Sequence, residues 1–187
     1  MTKTSSRKEV KDQSPDIRYG FGKSSLGRIL VASSDKGVVS ILIGDSNAQL
    51  VEDLQSRFPK AHLRHDEAEA AGFVKAVVDY VEGPSNGLAD LPLDIRGTTF
   101  QKRVWKSLLD IPAGETRTYT EIAQKIGSPK AIRAVGNACS TNNLAFAVPC
   151  HRVLHKDGSL SGGYHWGDDR QREMIEREAR RDSSKKS

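Results

Sequence analysis

The chain has 187 residues, 36% of them hydrophobic and 28% charged, which suits one large domain or two small ones around a modest core. No apolar run approaches the ~18 residues of a membrane-spanning helix, and MTKTSSRKEVKDQSPD at the start lacks the apolar stretch of a secretory signal. A formal charge of +5 permits an anionic partner without requiring one, and two cysteines make neither a disulfide framework nor a four-cysteine zinc site.

Residues 1–16 read as a flexible tail, followed by a first domain over 17–92. Ile17 to Phe21 suits a short strand. In LGRILVASSDKGVVSILIG, residues 26–44, two β-branched runs flank a Ser-Asp-Lys-Gly turn, which predicts an antiparallel hairpin. NAQLVEDLQSRF then spaces Leu50, Leu54 and Phe58 four apart, with Val51 beside them. Ala70 to Val81 repeats the pattern through Phe73, Val74, Val77 and Val78, and stops at Gly83-Pro84. A sheet covered by one or two helices is the expected arrangement. GPSNGLADLP, residues 83–92, is the expected boundary, and LPLDIRG is expected to return as one more strand.

A second, mainly helical domain is expected over 93–181, with 182–187 as a tail. TTFQKRVWKSLLDIP puts Phe100, Val104, Leu108 and Ile111 on one side, and Pro112 marks the exit. Thr118-Tyr119-Thr120-Glu121 fits a capping box, Ile122, Ala123 and Ile126 form a short apolar face, and Gly127 suits the residue after the helix. Ser128-Pro129 is expected to cap and begin the next helix. Two short helices so close together form a helix-turn-helix candidate. On the second, Ile132, Val135 and Cys139 are expected to point inward, and Arg133, Asn137 and Ser140 outward with Lys130 nearby. Gly136, Ala134 and Ala138 keep this helix slim. Such a face can enter a nucleic-acid groove, or it can serve helix packing with Arg133 simply solvated; spacing does not separate the two.

In AFAVPCHRVLHK, residues 145–156, a buried approach ends at Pro149 and presents Cys150 beside His151. A nucleophile, a metal ligand and a buried structural thiol all remain open on this evidence. Pro-Cys-His offers two metal ligands, and the other histidines are not clustered around it. A strand would send Cys150 and His151 to opposite faces, whereas a bend would let the imidazole serve the sulfur. In the terminal helix DDRQREMIEREARR, Met174 and Ile175 are the expected inward residues. Glu178 falls near that side and is a candidate partner for His151.

These residues also carry a resemblance. PCHR within AFAVPCHRVL resembles the active-site motif of the O6-alkylguanine-DNA alkyltransferases. LPLDIRGTTFQKRVW, IPAGETRTYTEIAQKIG, SPKAIRAVGNACSTNNLA and DGSLSGG extend the likeness, especially to the C-terminal half of bacterial Ada-type proteins, over roughly residues 17–180. The resemblance implies an α/β N-terminal domain with a ribonuclease-H-like antiparallel sheet. It implies a mainly helical C-terminal domain with a winged helix-turn-helix-like element entering the minor groove of double-stranded DNA.

The implied activity is stoichiometric transfer of an alkyl group from O6 of guanine, and more weakly from O4 of thymine, to Cys150. No cofactor or metal is implied. His151 would draw the thiol proton through a water, and Glu178 would orient His151. Tyr119 would help turn the nucleotide out, Arg133 would fill the vacated stack, and Asn142 would hold the turn before the acceptor. Lys130, Gly136, Asn137 and Ser140 would meet DNA. Ser161 and Gly162 would close over the base, and the carbonyls of Cys150 and Val153 would face its exocyclic amine. A cytoplasmic bacterial protein, monomeric when free, is expected. The alternatives are an alkyltransferase-like damage sensor and a cysteine hydrolase. SGGYHWG has one glycine more than the SGYRWG form expected in Ada-type chains, which leaves Tyr164 and His165 without a firm alignment. Phe146 replaces a branched aliphatic, and Cys139 reads as inert core.

Overall fold

The expected hairpin is the second half of a three-stranded meander. The computed structural model describes residues 14–83 and 87–186. In it β1 (Asp16–Ser24), β2 (Gly27–Ser34) and β3 (Gly37–Gly44) run antiparallel in sequence. β1 is longer than Ile17–Phe21 because it pairs with β2 from Arg18 to the Ser24 turn. After α1 (Asn47–Arg57), a short strand that the sequence did not suggest, β4 (His62–His65), joins β1 in parallel, giving the order β3-β2-β1-β4.

Two helices cover this sheet. Ser46 caps α1 by accepting from the Gln49 amide, and Leu50 and Leu54 are buried. Asp66 caps α2 (Glu67–Glu82), which buries Ala70, Val74, Val77, Tyr80 and Val81. The approach of α2 to β1 needs glycine. A Cβ on Gly20 would lie 2.7 Å from the Ala70 Cβ, and one on Gly22 would lie 2.7 Å from a Val74 methyl.

The remaining helices are α3 (Thr99–Leu109), α4 (Tyr119–Lys125), α5 (Ile132–Ser140) and α6 (Asp168–Lys185). Capping boxes at Thr98–Gln101 and Thr118–Glu121 start the first two. Trp105 of α3 donates from Nε1 to the Ala138 carbonyl at 2.8 Å and so ties α3 to α5. Two residues ahead of α4 and two after the Cys150 turn pair as β5 (Arg117–Thr118) and β6 (Val153–Leu154). No helix among the described residues is long and apolar enough to cross a membrane.

The two halves meet at the outer edge of β3, whose eight residues are all buried. Val38 donates to the Pro92 carbonyl and accepts from Asp94, while Ile41 donates to the Asn143 carbonyl and accepts from Ala145. LPLDIRG therefore contributes a single bridge, Val38 to Leu93, and not a strand. Residues 84–86 of the expected boundary, and residues 1–13 of the expected N-terminal tail, lie outside the described residues.

Three further expectations are corrected. Ser128 does not cap α5: its amide donates back to Ala123 while that of Gly127 donates to Gln124, and Gly127 has φ +73°, so the pair completes a Schellman ending of α4. α5 starts only at Ile132, with Ala131 as an N-cap that makes no side-chain bond. Ile132 consequently faces out, 41% exposed, and Val135, Ala138 and Cys139 are the inward residues. The expected tail from 182 is helical as far as Lys185.

The close contact of β1 with α2 generates a test. Gly20→Ala pushes against a Cβ fixed to a helix, so it should lower unfolding stability by about 1–3 kcal/mol. Urea denaturation followed by circular dichroism reads the change.

Candidate functional site

The chain enters the site along β3 and is then bent. After Ala145 pairs with Ile41, Phe146 takes φ +66° and Pro149 precedes a 3-10 turn over Cys150–Arg152. The turn, not a strand, is why adjacent residues can serve one centre. Asn142 holds it from behind. Its Nδ2 donates to the Val148 carbonyl at 2.9 Å, the Leu144 carbonyl at 3.3 Å and the Cys150 Sγ at 3.2 Å, and its Oδ1 accepts from the Leu144 amide at 2.9 Å.

Cys150 is buried, and burial pushes its thiol up to about 11, although the Asn142 bond opposes that rise. The resting group is therefore a thiol at neutral pH. His151 is fully buried, and its Nε2 lies 2.9 Å from Oε1 of Glu178, which is 1% exposed. Burial alone would raise the Glu178 carboxyl, but His151 and Arg152 outweigh it and hold the group well below the usual carboxylate range. An ionised carboxylate only accepts, so the proton between them sits on Nε2. In the neutral tautomer with that proton, the free lone pair is on Nδ1. Nδ1 has no protein partner among the described residues.

Sequence reasoning missed four contributors. Arg152 donates to both Glu178 oxygens and to the Ile111 carbonyl. The Tyr80 hydroxyl of α2 donates to Glu178 Oε1. Gln171 donates from Nε2 to the His151 and Val153 carbonyls and accepts from the Ser161 hydroxyl at 3.0 Å. Arg57 of α1 reaches the Asn142 carbonyl, Asn143 Oδ1 at 2.7 Å and His165. A signal existed for Gln171, which shares with Met174 and Glu178 the inward stripe of α6. Arg152 stands inside PCHR itself.

Beside Cys150 lies a cavity of about 30 Å³ whose walls include Tyr119, Cys139, Ser161, Gly163 and Tyr164. It has room for a water but not for a purine. Cys139 is thus buried as expected, yet it also forms part of this wall. Outside it opens a groove of about 440 Å³ that brings together Tyr119, Arg133, Gly136, Asn137, Ser140 and Ser161, with Ile132, His155 and Lys156 added by the structure. Lys130 is exposed in the turn before α5 and does not line this groove. Gly162, exposed with φ +64°, lines neither the cavity nor the groove, whereas Ser161 and Gly163 line both. The Val153 carbonyl already accepts from Gln171, at 3.3 Å. Tyr119 is half-buried, and burial and the neighbouring Cys139 push its hydroxyl up to about 12.

Comparison with known proteins gives a consistent result. Residues 17–95 match the family model for the ribonuclease-like domain of 6-O-methylguanine DNA methyltransferase, and residues 99–180 match that for its DNA binding domain. The Escherichia coli bifunctional transcriptional activator/DNA repair enzyme Ada is 45% identical over 163 residues, covering 87% of this chain and 46% of Ada. The chain thus spans about half the length of such Ada-type relatives. A methylated-DNA–protein-cysteine methyltransferase of Mycobacterium tuberculosis is 47% identical over 122 residues, which is 65% of this chain and 73% of that one. The crystal structure of Mycobacterium tuberculosis OGT in complex with DNA superposes with a TM-score of 0.72 at 36% identity, covering 89% of this chain and 94% of that one.

A high thiol value has a direct consequence in solution. Iodoacetamide should label Cys150 of the folded chain at pH 7 at least roughly ten-fold more slowly than a free cysteine of pKa about 8.5. The rate should keep rising toward pH 10 without levelling off. Peptide mass spectrometry follows the site.

Proposed function

The chain belongs to the 6-O-methylguanine DNA methyltransferase family, and from that premise we propose that it repairs alkylated double-stranded DNA directly. The alkyl group passes from O6 of guanine, and more weakly from O4 of thymine, to Cys150. The observation that carries this reading is the Cys150 thiol held by Asn142 in one turn with His151, whose ring is fixed by buried Glu178.

The chemistry is an in-line displacement at the methyl carbon. The thiol proton moves through a water to His151 Nδ1, the new bond forms from Sγ to carbon, and the carbon–oxygen bond breaks with its electron pair on O6. The base takes back a proton at N1 and leaves as guanine, and Cys150 becomes a thioether. Tyr119 donates toward the base as oxygen gains charge. A thioether is a poor leaving group, and Cys139, the other thiol on the cavity wall, is kept protonated by burial, so each molecule acts once.

A methyl on O6 is inaccessible inside a stacked duplex, so the nucleotide must be flipped. In this reading α5 lies in the minor groove, which discriminates weakly among base pairs and suits a sequence-indifferent repair protein. Arg133 fills the vacated stack. Lys130, Gly136, Asn137 and Ser140 approach the strand, and exposed Ile132 adds an apolar contact. The small cavity requires the Ser161–Gly163 loop to open for the base, and two consecutive glycines make that movement easy. The sheet order supports a ribonuclease-H-like first domain, and β5–β6 beside α4–α5 supports a minimal winged element. We place the protein in the bacterial cytoplasm, as a monomer when free. The alkyltransferase-like sensors replace the acceptor cysteine, which is present here.

Two measurements test the function. With a duplex holding one O6-methylguanine, intact and peptide masses should show one methyl on Cys150, capped at one per molecule; turnover beyond one, or no adduct, rejects it. Arg133→Ala should slow transfer from the duplex roughly ten-fold, equivalent to ~1.4 kcal/mol, while reaction with free O6-benzylguanine stays within about two-fold. Equal losses on both substrates would remove Arg133 from flipping.

A further inference from the structure

Glu178 has more partners than orienting one imidazole requires. Its Oε1 accepts from His151 Nε2 at 2.9 Å, from Arg152 Nη2 at 2.8 Å and from the Tyr80 hydroxyl, while Oε2 accepts from Arg152 Nε at 2.9 Å. The same hydroxyl accepts from Arg152 Nη2 at 2.9 Å. Tyr80 comes from α2, in the first half of the chain, and the Arg181 guanidinium lies over its ring 5.4 Å from the centroid. We propose that Tyr80 is a positioning residue for alkyl transfer: its hydroxyl draws part of the Glu178 charge away from His151, so that the ring stays a neutral proton acceptor until the thiol proton arrives.

Three donors converge on Oε1, and each additional donor reduces the electron density left for the others. The Arg152 and Glu178 charges cancel, so the cluster is neutral when His151 is neutral. The groups facing His151 and Glu178 are Tyr80 from α2 and Arg152 and Cys150 from the acceptor turn, with Arg181 of α6 behind the Tyr80 ring. The loop adds the Tyr164 hydroxyl, which has no protein partner among the described residues and feels the Glu178 charge. Without the Tyr80 donor, Glu178 interacts more strongly with an imidazolium. A ring that already carries its second proton cannot accept one from Cys150.

This inference rests on the proposed alkyl transfer, and its test separates the two. Single-turnover methyl transfer from the duplex is measured across acidic and neutral pH for the full chain, Tyr80→Phe, Glu178→Gln and the double variant. In Tyr80→Phe the acidic limb of the rate profile should move to higher pH by about half a unit to one unit. Transfer then falls roughly three- to ten-fold on that limb, with the plateau within about two-fold. In the Glu178→Gln background the same change should move nothing further, because Tyr80 acts only through that carboxylate. A Tyr80 that merely pinned α2 to α6 would lower stability and leave the limb where it was, which overturns the proposal, as does a shift that persists without Glu178. Because each comparison is made between profiles and not absolute rates, a general loss of stability does not imitate the expected result. Absence of any transfer by the unaltered chain would instead overturn the repair function itself.

Discussion

A single buried carboxylate holds the site together. Glu178 on α6 is 1% exposed, and a lone charge in that position would be prohibitively costly. It is tolerated because Arg152 supplies an opposite charge through two nitrogens and because His151 and Tyr80 complete its hydrogen bonds. Removing the carboxylate would strand a buried guanidinium, so the interaction is structural as well as chemical. It fixes the acceptor turn against α6 on one side and α2 on the other.

The position of Cys150 follows from backbone constraints that reach further out. Ile41 of β3 anchors Asn143 and Ala145, and Asn142 gathers the next eight residues around its side chain. Arg57 of α1 braces the same asparagine segment and touches His165 in the loop over the cavity. Both halves of the chain therefore contribute to where one sulfur lies. The burial that makes this placement rigid also keeps the thiol protonated. In the proposed role of an acceptor consumed by its reaction, low reactivity toward solution electrophiles is a benefit, and activation can wait for the correct base.

What could be read from the sequence was governed by how local the cause is. The Thr118–Glu121 capping box involves four consecutive residues and is present with both bonds. The apolar stripes of α1 and α2 needed only helical spacing. Glu178 was found because a glutamate on an inward stripe demands a partner. Ser128-Pro129 misled because Gly127 and Ser128 are committed to ending α4, an arrangement that competes with a helix start at the same residues. Ile132 continued the inward stripe by spacing, but the late start of α5 left it outside. HLRH gave no alternation strong enough to announce β4, which exists because β1 offers an edge. Tyr80, Arg152 and Arg57 act across 26 to 98 positions of sequence, and no local pattern encodes such pairings.

The pairing on β3 bears on how the chain can be divided. β3 is the terminal strand of its sheet, fully covered along its length, and its outer hydrogen-bonding groups are taken up by Pro92–Asp94 and Asn143–Ala145. Cut away from the second half, the sheet would present an apolar edge with open amides and carbonyls, the form that recruits strands from other molecules. Aggregation of the isolated first half is thus built into the same contact that aims the acceptor. During synthesis the part of that edge around Ile41 stays open until the ribosome has delivered Asn143 and Ala145, well after Pro92–Asp94 have covered Val38.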